Sequence, residues 1–133
     1  MSTIVSQNEA RPVSKGLNVA LWVLQVLVAL AMLAAGGSKL AGVEPMVQQF
    51  DAIGLGQWFR YLTGALEVGG AVLLLVPRLS GIGALLLSCV MAGAVVAHLV
   101  KLGGNPVAAL VFLAMLLAIA WGRRGQVLAL LGR

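Results

Sequence analysis

Apolar residues run almost unbroken through four stretches of this chain, and polar residues gather in the short intervals between them. The first stretch carries no charge from Leu17 to Gly37. At about 1.5 Å per residue, a helix of that length reaches roughly 30 Å, the thickness of a bilayer's hydrocarbon core. It predicts a first span at residues 17–38. A second is expected at 58–76, interrupted by Arg60 and Glu67 and ended by Pro77 and Arg78. The third, 79–100, has no formal charge and one histidine, His98, before the turn residues Lys101, Gly103 and Gly104. The fourth, 105–121, opens on Asn105 and Pro106, a cap and first-turn pair, and closes at Gly122, Arg123 and Arg124. The fold class expected is all-α: an integral membrane four-helix transmembrane bundle.

The intervals add detail. Residues 44–50 read as a short helix with Pro45 in its first turn and with Met46, Val47, Phe50 and Ile53 near one face, so an interfacial helix is expected between spans 1 and 2. Gly54 to Gly56 break it, and Trp58 and Phe59 suit the headgroup boundary. Residues 1–16 are polar and aperiodic and predict a flexible tail. Residues 122–133 predict a second short tail, whose apolar part, 126–131, lies along the interface. The basic residues before the first span and the small residues after it also fit a secretory leader, but the apolar run is long for one, which favours an uncleaved helix.

Composition agrees with lipid as the surrounding solvent. Hydrophobic residues make up 61% and charged ones 10%, too little charge to cover a water-soluble domain. The net charge of +5 does not indicate a nucleic-acid partner, because the basic residues are scattered singly between apolar runs. Cys89 is the single cysteine and His98 the single histidine. This excludes a dithiol relay within the chain and argues against a zinc, iron–sulfur or bis-histidine haem site, so no metal and no resident cofactor are expected. The glycine pairs lie in apolar helices and do not form a phosphate loop.

Helical spacing then sorts the polar residues. In the first span Asn18, Trp22, Gln25, Gly36 and Lys39 share a seam with Ala29 and Met32. In the second, Arg60, Thr63, Gly64, Glu67, Gly70 and Ala71 fall on one face. A polar seam in a lipid-embedded helix turns inward. Pairs of small residues four apart, Ala31 with Ala35, Gly93 with Ala97 and Ala114 with Ala118, are expected to supply close interhelical contacts, and the fourth-span pair permits a homo-oligomer.

Antiparallel threading places the end of span 1, the start of span 2, the end of span 3 and the start of span 4 at one membrane face. Lys39, Arg60, Glu67, His98, Lys101 and Asn105 therefore share one half of the bundle, expected to be the outer half. Counting Lys and Arg, the tails and the second connection hold Arg11, Lys15, Arg78, Arg123, Arg124 and Arg133, against Lys39, Arg60 and Lys101 elsewhere. That asymmetry predicts both termini on the cytoplasmic side. Glu67 lies about 10 to 13 Å into its span, where an unpaired carboxylate would cost several kcal/mol. Lys39 and Arg60 are its candidate partners. Gln25, Lys39, Arg60, Glu67 and His98 form the candidate polar core or ligand site, with a structural clasp and a binding site as equal alternatives. His98 follows an apolar line of Leu87, Met91 and Ala94, which favours a hydrogen-bonded structural role over ligation.

This order of features resembles the DoxX and DoxX-like family of small bacterial four-span membrane proteins. The resemblance rests on Gly36-Gly37-Ser38-Lys39-Leu40 closing the first span, then Phe50 and Ile53-Gly54 before Trp58. It continues through Leu62-Thr63-Gly64-Ala65-Leu66-Glu67, Leu73-Leu74-Leu75-Val76-Pro77 and Ala97-His98. It implies location in the inner membrane, and Lys39, Glu67 and His98 match the family's polar positions. Relatives are associated with quinone-coupled sulfur-compound oxidation, with membrane thiol-redox complexes and with receptor assembly; the single Cys89 departs from any dithiol-based relative. The expectation is an accessory or redox-associated membrane subunit with a partner membrane or redox protein and a polar pocket for a quinone or lipid. The alternative is an enzyme or proton-coupled carrier that uses Glu67 and His98 as a relay.

Overall fold

The computed structural model describes residues 14–132. The described chain is entirely helical, in the order α1 Lys15–Ala41, α2 Glu44–Ile53, α3 Trp58–Leu75, α4 Ser80–Ala97, a π-helical turn His98–Leu102, α5 Val107–Gly122 and α6 Arg124–Leu130. Three helical segments are long and apolar enough to cross a membrane: Lys15–Ala41, Trp58–Leu75 and Ser80–Leu102. Val107–Gly122 and Arg124–Leu130, bent by 62° at their junction, make a fourth if the pair is counted as one span. With large apolar side chains such as Val23, Leu27, Leu30, Val72, Val96 and Leu117 facing outward, the molecule is a membrane helical bundle.

Local chemistry sets the ends. The Ser14 hydroxyl accepts the Leu17 amide, so α1 starts two residues ahead of the expected span. Gly42 ends it with φ +72, its amide turned back onto the Ser38 and Lys39 carbonyls. Gly54, at φ +84, ends α2 in the same way. Asn105 accepts the Val107 amide through its side chain, and α5 starts immediately after Pro106. The first thirteen residues of the expected N-terminal tail lie outside the described residues. At the other terminus, the apolar segment expected along the interface is the helix α6, held against α4 by Gln126, which accepts the Gly81 amide and donates to the Pro77 carbonyl.

The core forms where the two seams meet. Gln25, Ala29, Met32 and Gly36 of α1 and Arg60, Gly64, Glu67, Gly70 and Ala71 of α3 are buried. Gly36 and Gly64 face each other so closely that a methyl group on either would lie 2.9 Å from the other's carbonyl oxygen. Gly70 packs under Leu87, and Gly83 lies against the α3 backbone at Leu74 and Gly70. Two small-residue pairs do not serve as expected. Gly93, Ala114 and Ala118 are exposed and nothing lies within 4 Å of a side chain added at Gly93; small size brings helices together only where another backbone is within reach. The close contacts come instead from Gly36, Gly64, Gly70, Gly81, Gly83 and Gly122.

Candidate functional site

The polar residues of the core separate into two clusters at opposite ends of the bundle. The first lies at the end that holds the start of α1 and the α3–α4 turn. Gln25 donates to the Leu74 carbonyl at 2.8 Å and to Ser80 Oγ at 3.0 Å. Arg123 Nε donates to Gln25 Oε1 at 2.7 Å and its Nη1 to Asn18 Oδ1 at 2.9 Å. The Arg123 Nη2 atom is buried without a hydrogen-bond partner among the described residues. Gln25 is therefore fully buried and fully engaged in tying α1, the α3–α4 turn and the end of α5 together. It stands about 21 Å along α1 from Lys39, so it does not share a site with the other candidates. Arg123 and Ser80 escaped the sequence reading, although the seam through Asn18 and Gln25 was a visible signal that a donor must face it.

The second cluster lies at the opposite end and contains the remaining candidates. Lys39 Nζ is 2.8 Å from Glu67 Oε1, with the carboxylate side chain 2% and the ammonium side chain 12% exposed. The pair forms because the Gly36–Gly64 contact brings the last turns of α1 onto α3, placing Lys39 and Glu67 one turn to either side of it. Arg60 was the other candidate cation for Glu67, but it takes a different partner. Its Nη1 donates to the Lys39 carbonyl and its Nε donates to Gln57 Oε1 at 2.7 Å. A guanidinium on the carbonyl end of α1 also meets the negative end of the helix dipole. Gln57 in turn donates to the Val47 carbonyl at 3.0 Å, so Arg60 and Gln57 tie α1, α2 and α3 together.

His98 opens the π-helical turn, and its Nδ1 is 2.8 Å from the Ala94 carbonyl. With Nδ1 donating to that carbonyl, Nε2 of the neutral ring is left as an acceptor. Single π turns recur at functional sites in helical proteins, and no period in the sequence announced this one. Lys101 and Asn105 lie at the same end, both exposed.

Lys39, Glu67 and His98 all line one cavity of about 460 Å³. Its walls are otherwise mainly apolar: Met32 and Ala35 from α1, Thr63 and Leu66 from α3, Val90 and Met91 from α4, and Ala109 and Phe112 from α5. The short helix α2, expected to lie on the surface, closes the end of the cavity with Phe50 and Ile53. Both side chains are buried, and the Phe50 ring rests against Phe59 with centroids 5.8 Å apart. Thr63 lines the wall but donates its hydroxyl to the Phe59 carbonyl at 2.8 Å. The arrangement is a pocket in the far half of the bundle with apolar sides and a small number of polar groups, the usual composition of a site for a small apolar or amphipathic molecule. Among the described residues no group of three or more potential metal ligands occurs.

The sequence pattern of the DoxX-like family matches residues 23–123, a segment that includes Gln25, Lys39, Arg60, Glu67 and His98. No match to the chain was found among curated proteins or among solved structures.

Proposed function

The chain belongs to the DoxX-like family, and from that premise we propose that it is an accessory, redox-associated membrane subunit whose intramembrane pocket binds the polar head of a quinone or a lipid. The observation that carries this reading is the cavity of about 460 Å³ with the Lys39–Glu67 pair in its wall. An ion pair that served only as a clasp would be expected to sit in packed protein, because a void beside it forfeits contacts on both sides. Here apolar walls suit a hydrocarbon or isoprenoid body. The Lys39 ammonium has donors beyond the one directed at Glu67, and Nε2 of a neutral His98 ring is an acceptor, so carbonyl and hydroxyl heads both find partners. A quinone in that place would supply two-electron chemistry to a partner redox protein; the residues of this chain would hold and orient its head and exclude water.

The relay reading, with Glu67 and His98 moving protons, has less support. The Glu67 carboxylate faces Lys39, and the His98 Nδ1 proton is directed at the Ala94 carbonyl. For location, the reading is the bacterial inner membrane with both termini cytoplasmic, supported by the distribution of Lys and Arg.

Lipid and quinone extraction from the purified protein, followed by mass spectrometry, tests the proposal. The wild-type protein is expected to retain one amphipathic species in stoichiometric amount, and the Lys39→Met/Glu67→Leu variant to lose it while remaining folded. Equal retention by both proteins, or none by either, would refute it.

A further inference from the structure

We infer that the pocket takes its ligand sideways out of the bilayer, through an opening between α3 and α4, so that the occupant is a membrane amphiphile whose hydrocarbon or isoprenoid chain lies in that opening and whose head reaches Lys39 and Glu67. This inference rests on the pocket reading above and adds the route and the class of ligand.

The geometry of α3 and α4 supports it. The two helices are joined by the short turn after Val76 and are in backbone contact near it, where a methyl group on Gly83 would lie 2.8 Å from the Leu74 amide nitrogen and 2.9 Å from the Gly70 carbonyl oxygen. Gly70 beneath Leu87 continues that seam. Farther from the turn both helices line the cavity, with Leu66 and Thr63 on one side and Cys89, Val90 and Gly93 on the other. Gly93 lies about 15 Å farther along α4 than Gly83, and nothing stands within 4 Å of the position its side chain would take. Cys89 and Gly93, one turn apart on α4, both line the cavity and are both exposed. A residue with one side on the cavity and another on the lipid-facing surface marks the rim of an opening.

One other route is closed. The end toward the aqueous phase is covered by α2, whose Phe50 and Ile53 are buried. Helices α1 and α5 meet at the opposite end of the bundle, where Leu21 packs on Gly122 and Arg123 binds Gln25 and Asn18. Ala108 of α5, exposed and also lining the cavity, marks a second rim, and a variant there sets that route against the one between α3 and α4.

The test uses the full chain in phosphatidylcholine and phosphatidylglycerol vesicles and a fatty alcohol with a mid-chain diazirine, photolysed at increasing times after mixing. Peptide mapping by mass spectrometry follows labelling of Met32 and Phe112 inside the cavity and of Leu27 on the lipid-facing surface. In the wild type, interior and surface residues are both expected to be labelled. Gly93→Trp, and separately Cys89→Trp, should lengthen the half-time of interior labelling by at least about tenfold, the effect of roughly 1.4 kcal/mol of added barrier. Neither should change labelling at Leu27, and Leu117→Trp, on the outward face of α5 away from the cavity, should leave the interior half-time unaltered. Whichever of the two rim variants retains the wild-type unfolding midpoint suffices. Equal interior half-times in the wild type and the rim variants, or slowing by Ala108→Trp alone, would overturn the route while leaving the pocket reading intact. Absence of interior labelling in the wild type, with Leu27 labelled, would overturn the route and the pocket together.

Discussion

Removing Lys39 alone should cost the protein far more than removing Lys39 and Glu67 together. In Lys39→Met the Glu67 carboxylate, 2% exposed, keeps its burial and loses its cation. Arg60 cannot take over without giving up the Lys39 carbonyl and Gln57, which hold α1, α2 and α3 together. Breaking a buried pair from one side costs about 3–5 kcal/mol, whereas exchanging both partners for apolar residues of similar volume is often close to neutral. The lower bound alone changes the unfolding constant by roughly two orders of magnitude. Unfolding in mixed detergent micelles by increasing fractions of a denaturing detergent, followed through the fluorescence of the three tryptophans, measures both variants against the wild type. The expected order is wild type near Lys39→Met/Glu67→Leu, with Lys39→Met well below both. A double variant as unstable as the single one, or effects that simply add, would refute a coupled pair.

Gly36→Leu and Gly64→Leu should each destabilise by about 1–3 kcal/mol or more through overpacking, since either side chain would meet the opposing backbone at 2.9 Å; the same titration reads the loss. At the other end, Arg123→Ala strands the buried Gln25 side-chain oxygen and frees the half-buried one of Asn18, at about 1–3 kcal/mol for the buried acceptor. Arg123→Lys, with one nitrogen in place of the planar fork, should recover only part of the midpoint shift. Gln57→Ala removes the link from Arg60 to the Val47 carbonyl and should raise amide hydrogen exchange across 44–53 while leaving α5 unchanged; uniform exchange would contradict a specific tether.

The spans and the inward seams were legible because hydrocarbon enforces them: a continuous apolar run of bilayer length, and polar residues at helical spacing, have one favourable placement each. The juxtaposition of Lys39 and Glu67 followed from the same logic, since antiparallel threading brings the end of one span to the start of the next. Three features were not legible. Whether Arg60 or Lys39 faces Glu67 depends on side-chain reach at a helix end, where Arg60 finds the carbonyl of Lys39 itself. The direction of the pairs at Gly93 and at Ala114 with Ala118 was hidden because α4 and α5 are apolar on all sides, so period alone assigns them no inner face. The roles of α2 and of the π turn at His98 arise from packing around a cavity, and a cavity leaves no pattern in a sequence.

On the proposed function, the volume beside Lys39 and Glu67 holds the head of a membrane amphiphile. A density map of the protein isolated in discs of its own membrane, without detergent, tests this most directly. An elongated density is expected in the cavity, with its polar end against the Lys39–Glu67 pair. A core in which Met32, Met91 and Phe112 have closed over that volume, with the ion pair intact, would contradict it.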